Sequence, residues 1–225
     1  MNSEPIRDFS QVESIIGYTF IDKTLLTLAF THASCSNSNN KDTNERLEFL
    51  GDSVLDYLVG AELFKTFPTL SEGELTQKRA FIVSAETLAT EIEKTGLHSF
   101  LKTAIGSGRD AIIESENVKC DLFEAILGAI VLDSNFDLAF AKEYVWKFLR
   151  KYIDYVPIDY KSKTLEYCMK YKIDCKFICK ENNTNNVSER FSCSLTVKND
   201  KFTGTGRNRK EAEKNAAKVF YNTFL

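Results

Sequence analysis

The chain has 225 residues, 43% of them hydrophobic and 27% charged, enough to bury roughly 70% of the unfolded surface in one or two packed domains. That composition excludes disordered and collagen-like chains, and no window approaches the roughly 18 consecutive apolar residues of a membrane span. The opening MNSEPIRDFSQ lacks the basic and apolar regions of an export signal, so a cytoplasmic protein without a membrane partner is expected. Its six cysteines (Cys35, Cys120, Cys168, Cys175, Cys179, Cys193) are then expected to be reduced, with no structural bridge. The net charge of −3 conceals two unlike parts: residues 1–157 carry 15 Lys and Arg against 24 Asp and Glu, while residues 158–225 carry 14 against 8. An acidic body joined to a basic module suggests a polyanion partner for the tail and a separate use for concentrated carboxylates.

The first 150 or so residues read as helices. After the polar loop Cys35 to Thr43, residues 44–65 place Leu47, Leu50, Val54, Leu58 and Leu63 at helical spacing, and Pro68 ends the run. Ser71 followed by Glu72 and Glu74 is an N-cap with an acidic first turn. It opens a helix expected to continue through Phe81, Val83, Leu88 and Ile92 to Gly96, a C′ glycine. A loop at Ile105 to Arg109 precedes residues 118–132, apolar nearly all round and therefore expected to be buried. An amphipathic helix over 136–152 closes this part. Around Asp154 to Lys161 the period changes. Thr164 to Lys172 looks helical; Cys175, Phe177 and Cys179, then Phe191, Cys193, Leu195 and Val197, alternate with polar residues as half-buried strands do. Asn199-Asp200 is expected to turn into a third strand through Phe202 and Gly204, and Asn208 to cap a last helix through Ala212, Ala216, Val219 and Phe220.

Glu45, Glu48 and Asp52 recur at offsets of three and four, within an arc of roughly 60° on one helix face. Like charges so placed repel, and a solvated acidic face neutralised by Arg46, Lys78 or Arg79 is the simpler account of this stretch alone. Asp121 and Glu124 change the balance, because they lie three apart in the otherwise apolar CDLFEAILGAIVL, which has no basic residue. A buried ionised carboxylate needs a partner, a hydrogen bond or a metal. If the two helices cross, four carboxylates form an oxygen-rich cage suited to a hard divalent cation such as Mg²⁺. A metal cluster of that kind can hydrolyse phosphodiesters without histidine, and His32 and His98 are read as structural. No Cys-x2-Cys or His pair suggests zinc.

The run Asn44-Glu45-Arg46-Leu47-Glu48-Phe49-Leu50-Gly51-Asp52-Ser53-Val54-Leu55 resembles the signature of the ribonuclease III family. Thr31-His32-Ala33-Ser34, Glu72-Gly73, Lys78-Arg79-Ala80 and Asp121-x2-Glu124-Ala125-x2-Gly128 follow the family's order, and the resemblance covers essentially the whole chain. It implies that Glu48, Asp52, Asp121 and Glu124 are metal ligands, with Asp52 and Glu124 catalytic, and that Glu45 and Glu72 are auxiliary acids. It further implies Mg²⁺ as cofactor with Mn²⁺ as substitute and no organic cofactor. The family works as a homodimer whose two centres each cut one strand of duplex RNA, leaving 5′-phosphate, 3′-hydroxyl and a short 3′ overhang. Processing of rRNA precursors and other structured transcripts is the expected role. Phe49 matches the aromatic knob at the dimer interface, although spacing alone also allows a core residue.

The tail, with Gly204-Thr205-Gly206-Arg207-Asn208-Arg209-Lys210-Glu211-Ala212-Glu213-Lys214, is similar to a double-stranded-RNA-binding domain. Cations in a first helical turn oppose the helix dipole, and a phosphate would reverse the sign, so Arg207, Arg209, Lys210 and Lys214 are expected to meet the RNA backbone, with Glu166 retained from the family's first-helix pattern. Two positions depart from the family: Leu165 stands where an amide is common, and the loop Lys180 to Ser188 offers Asn182, Asn183, Asn185 and Asn186 instead of Gly-Pro-x-His. The expected architecture is mainly α: an all-helical ribonuclease III endonuclease domain over 1–153, a linker over 154–158, and a small α+β double-stranded-RNA-binding domain of order α-β-β-β-α over 159–225. The alternative is a catalytically silent duplex-RNA-binding or ribosome-associated protein of the same fold.

Overall fold

In the computed structural model, which describes residues 9–36, 42–104, 108–155, 159–184 and 186–224, helix after helix begins at a side-chain cap. Asp22 accepts from the Thr24 amide ahead of α2 (Lys23–Ala29), Ser71 and Glu74 form a capping box ahead of α4 (Glu72–Ile82), and Asp137 accepts from the Ala139 amide ahead of α8 (Leu138–Leu149). With α1 (Phe9–Ile16), α3 (Glu45–Thr66), α5 (Ala85–Thr95), α6 (Arg109–Ile113) and α7 (Glu116–Asp133), these make up the first of two units, Met1–Val156 and Pro157–Leu225. Residues 156–158 of the expected linker, 105–107 and 37–41 of the expected loops, and Asn185 lie outside the described residues.

Two expectations from helical periodicity need correction. The single helix from Ser71 to Gly96 is two helices, because the chain turns at Val83 and Ser84 adopts an extended conformation, its hydroxyl capping the Thr87 amide at 3.3 Å. Both helices present apolar residues to the same core, so their periods run together in sequence. The helix expected from Phe136 starts two residues later, since Asn135 and Phe136 hold positive φ angles of 53° and 64° and cannot enter the α region. Gly96 ends α5 in the left-handed conformation, as expected.

The core of the first unit is built around α7, buried at every position from Leu122 to Val131. α3 lies across it with backbone against backbone. A Cβ on Gly51 would stand 1.8 Å from the Glu124 carbonyl oxygen, and one on Gly128 would stand 2.1 Å from that of Leu47, so only glycine permits this approach. The N-terminus of α3 is pinned by the Asn44 amide, which donates to the Thr31 carbonyl at 2.8 Å, while the His32 amide donates to Lys102. Buried charges elsewhere in the unit are paired: Lys119 with Glu93 and Glu114 at 3.1 and 2.9 Å, and Glu91 with Lys94, Lys151 and the Tyr152 hydroxyl.

The second unit runs α9 (Tyr160–Lys170), β1 (Cys175–Glu181), β2 (Phe191–Val197), β3 (Asp200–Gly206), α10 (Arg209–Phe224), with an antiparallel sheet in the order β1-β2-β3. The hairpin turn is Lys198-Asn199, one residue earlier than expected, because Asp200 already pairs with Val197 and Lys198 supplies the positive φ. α10 rests on β3 at Gly204 and Gly206, where a Cβ would come within 2.2 and 2.7 Å of its backbone. The expectation of fully reduced cysteines is overturned here: Cys179 and Cys193 are disulfide-bonded, whereas Cys35, Cys120, Cys168 and Cys175 are free. Strand register is the reason, since it sets the two residues directly opposite each other with Cα atoms 4.0 Å apart.

Two outcomes follow. Gly51→Ala is expected to destabilise the first unit by about 3 kcal/mol in urea unfolding, whereas Gly73→Ala, with no atom within 4 Å of the added carbon, leaves stability unchanged or slightly raised. Reducing Cys179–Cys193, which closes a loop with a sequence separation of 14, is expected to remove about 3 kcal/mol from the second unit, read by thermal melts with and without reductant.

Candidate active site

Because Gly51 and Gly128 bring the α3 and α7 backbones together, the carboxylates flanking the crossing share one cleft. Glu48 and Asp52 enter from α3, Asp121 and Glu124 from α7. Their charges act on one another. Burial, then Asp121, Glu45 and Asp52, push the Glu48 carboxyl up from its ordinary value. Asp121 is pushed up by burial, with the nearby His32 pulling the other way. Glu124, 9% exposed, is raised to about 8, first by burial and then by Asp52, Asp121 and Glu48. The Cys120 thiol donates toward Glu124 Oε1 at 3.8 Å, and burial together with the carboxylates pushes its pKa well up.

No ion pair among the described residues includes any of the four acids. Neutralisation by Lys78 or Arg79 fails on geometry. Lys78 is buried, donating to the Ile153 and Tyr155 carbonyls at 3.0 and 2.8 Å, and Arg79 reaches Asp56 at 3.8 Å. Four converging carboxyl groups, whose charges push up the Glu48 and Glu124 carboxyls and which have no cationic side chain paired to them among the described residues, make an oxygen donor set fit for a divalent metal.

Comparison with known proteins identifies the family. The Ribonuclease-III-like family model matches residues 22–152, and the double-stranded RNA binding motif matches residues 160–223. The chain belongs to the ribonuclease III family. It is 34% identical over 220 residues to Ribonuclease 3 of Clostridium acetobutylicum, covering 95% of this chain and 96% of that one. To Ribonuclease 3 of Fusobacterium nucleatum it is 34% identical over 224 residues, 95% of this chain and 94% of the relative. The crystal structure of the ribonuclease III nuclease domain from Campylobacter jejuni matches with a TM-score of 0.60 at 34% identity, covering 67% of this chain and 99% of that domain. A second structure of that domain, described for flexibility in a region involved in dimer formation, matches at 0.59 and 36% identity, covering 64% of this chain and 97% of that one. Ribonuclease III enzymes are metal-dependent, and the fold is the expected helical nuclease domain followed by an α-β-β-β-α module.

The remaining expected residues of this ribonuclease III chain divide clearly. Glu45 accepts from the Thr43 hydroxyl at 2.8 Å and adds its charge to that on Glu48. Glu72 stands apart, exposed in the first turn of α4 with a hydrogen bond from Thr76 at 2.9 Å, and is not among the charges acting on Glu48, Asp121 or Glu124. Phe49 is 75% exposed, which removes the core reading; Tyr57 and Phe64 are exposed on the same helix. His32, read as structural, does cap a 3₁₀ turn through Ser34, yet it also lies close enough to act on Asp121. That proximity comes from the Phe30-His32 to Lys102 bridge and has no local signal in sequence.

In the RNA-binding motif, Asn208 caps α10 by accepting from the Glu211 amide at 2.9 Å. Arg207 pairs with Glu211 at 3.3 Å and Arg209 with Glu213 at 3.5 Å, while Lys210 and Lys214 are exposed without an ion pair among the described residues. Glu166 is paired with Lys163 at 2.9 Å. Asn182 donates to the Glu189 carbonyl and accepts from Ser192 of β2, while Asn186 accepts from Ser188 through Oδ1, so the amides of the exposed Asn183 and Asn186 are the described substitute donors.

The raised Glu124 carboxyl sets the sign of a pH effect. Between the ordinary value of 4.5 and about 8 the folded metal-free protein holds a proton that the unfolded chain releases, so stability falls as pH rises through that window. Glu124→Gln is accordingly expected to stabilise the metal-free protein at pH 8 by about 2 kcal/mol and to flatten this slope, read by urea unfolding in chelator at pH 5 and pH 8.

Proposed function

We propose that this ribonuclease III endonuclease cuts double-stranded RNA in the α3–α7 cleft, with Glu48, Asp52, Asp121 and Glu124 holding Mg²⁺, for which Mn²⁺ substitutes. The observation that carries the assignment is the convergence of those four carboxyl groups without an ion pair among the described residues. A divalent cation held there would supply the activation of water for attack on phosphorus and the stabilisation of the departing 3′ oxygen, consistent with 5′-phosphate and 3′-hydroxyl ends. The chain's own part is positional and protonic. Asp121 and Glu124 are held by a buried helix that cannot shift, Asp52 and Glu48 by the helix packed on it. Asp52 and Glu124, one on each side of the crossing, are the catalytic pair. Burial and the neighbouring carboxylates push the Glu124 carboxyl up to about 8, so a cation bound beside it would favour its ionised form. Glu45 is an auxiliary acid beside Glu48, and Glu72, standing apart at the start of α4, is assigned an auxiliary role on the family resemblance alone.

The exposed apolar side chains Phe49, Tyr57 and Phe64 along α3 support a homodimer formed across that face, which gives two centres, one for each strand. Lys210 and Lys214, with Arg207 and Arg209 released from their carboxylates, meet phosphates at the start of α10, and Glu166 with exposed Asn183 faces the minor groove. Recognition of A-form shape rather than sequence fits structured transcripts, rRNA precursors among them.

Long duplex RNA incubated with Mg²⁺, Mn²⁺ or chelator tests the proposal. Cutting is expected with either ion and none with chelator. Asp52→Asn should lose at least about 100-fold in rate while binding the duplex within a few-fold. Lys210→Ala with Lys214→Ala should lower the salt slope of binding by about two units. Cutting that survives chelator, or an Asp52→Asn protein that cuts normally, overturns the assignment.

A further inference from the structure

The cleft contains one donor that a site for hard cations has no use for. Cys120 precedes Glu124 by four residues on α7 and so shares its face. Its Sγ, the Asp121 carboxylate and the Glu124 carboxylate offer donor atoms that all lie within 4.8 Å of one another. Glu124, nine-tenths buried, has the Cys120 thiol as its hydrogen-bond neighbour and takes none from nitrogen or oxygen among the described residues. Mg²⁺ takes oxygen and leaves sulfur aside, whereas zinc accepts both, with Zn–S near 2.3 Å and Zn–O about 2.0–2.2 Å. One ion at those distances would draw the three donors together from spacings close to those already present.

We propose that Cys120 gives the cleft a second, soft mode of metal binding: Zn²⁺ is captured by Cys120 Sγ, Asp121 and Glu124, excludes the hard ion, and switches the nuclease off. On binding, the thiol proton passes to water as the sulfur–metal bond forms, and no redox change occurs. The inference rests on the reading that the same carboxylates hold Mg²⁺ or Mn²⁺, and the two are separable by experiment.

The full chain is loaded with Mn²⁺, followed by electron paramagnetic resonance, and titrated with Zn²⁺; Cd²⁺ then replaces Zn²⁺ so that thiolate coordination is read from its ultraviolet charge-transfer band. Wild type, Cys120→Ser, Cys120→Ala and Glu124→Gln are compared after circular dichroism shows each folded. Zn²⁺ is expected to release Mn²⁺ from wild type at concentrations at least about tenfold lower than from either Cys120 variant. The Cd²⁺ band of wild type should exceed that of Cys120→Ser by one thiolate, and Glu124→Gln should lose the same increment although its cysteines are intact. If Mn²⁺ binds wild type and is weakened by Glu124→Gln, but Zn²⁺ displaces it equally from wild type and the Cys120 variants, the sulfur mode is overturned while the carboxylate reading stands. If Mn²⁺ binding ignores Glu124→Gln, both fall.

Discussion

The crossing of α3 and α7 at Gly51 and Gly128 is the constraint from which the rest of the nuclease unit follows. Two helices normally pack with axes about 8–10 Å apart, held off by side chains. Here each helix offers the other a bare backbone, so peptide groups meet and the residues on either side of the contact are carried inward. Glu48 and Asp52 flank Gly51, and Glu124 lies one turn before Gly128. A bulkier residue at either glycine separates the helices and, with them, the acids. Packing and chemistry are therefore the same feature seen at two distances.

That arrangement sets stability against function. Elsewhere in the unit buried charges are matched: Lys119 with two glutamates, Glu91 with two lysines and a tyrosine, Lys78 with two carbonyls. At the crossing the chain leaves like charges together, and Glu124 is forced toward its protonated form. A cation bound at the proposed site would relieve that repulsion. The surrounding apolar helix holds the acids in place against their mutual repulsion, because α7 is buried over ten consecutive positions and has nowhere to relax.

The RNA-binding unit uses the same device in miniature. Gly204 and Gly206 let β3 lie against α10, presenting the helix start with its basic residues beside the sheet edge. In the absence of RNA the arginines are occupied by Glu211 and Glu213. Both arginines are exposed, and Glu213 is held by Lys161 as well as Arg209, so an arginine can exchange its carboxylate for a phosphate at small cost, while Lys210 and Lys214, without an ion pair among the described residues, supply the standing attraction.

Sequence by itself determined whatever is local. Helical phase put Glu45, Glu48 and Asp52 on one face and Asp121 and Glu124 on another, alternation marked the strands, and Ser71, Gly96 and Asn208 announced helix ends, since each depends on residues within one or two turns. It also carried the family signature. Tertiary structure alone decided what depends on distant partners. It decided that the two acidic faces meet, because the meeting needs Gly51 opposite Gly128, and that Phe49 stands in solvent. It decided that Cys179 faces Cys193, a matter of register, that the helix after Ser71 breaks at Ser84, where apolar period runs on unbroken, and that His32 joins the carboxylates. The division is physical: short-range sterics and hydrogen bonding are written along the chain, whereas burial and electrostatic proximity belong to the folded packing.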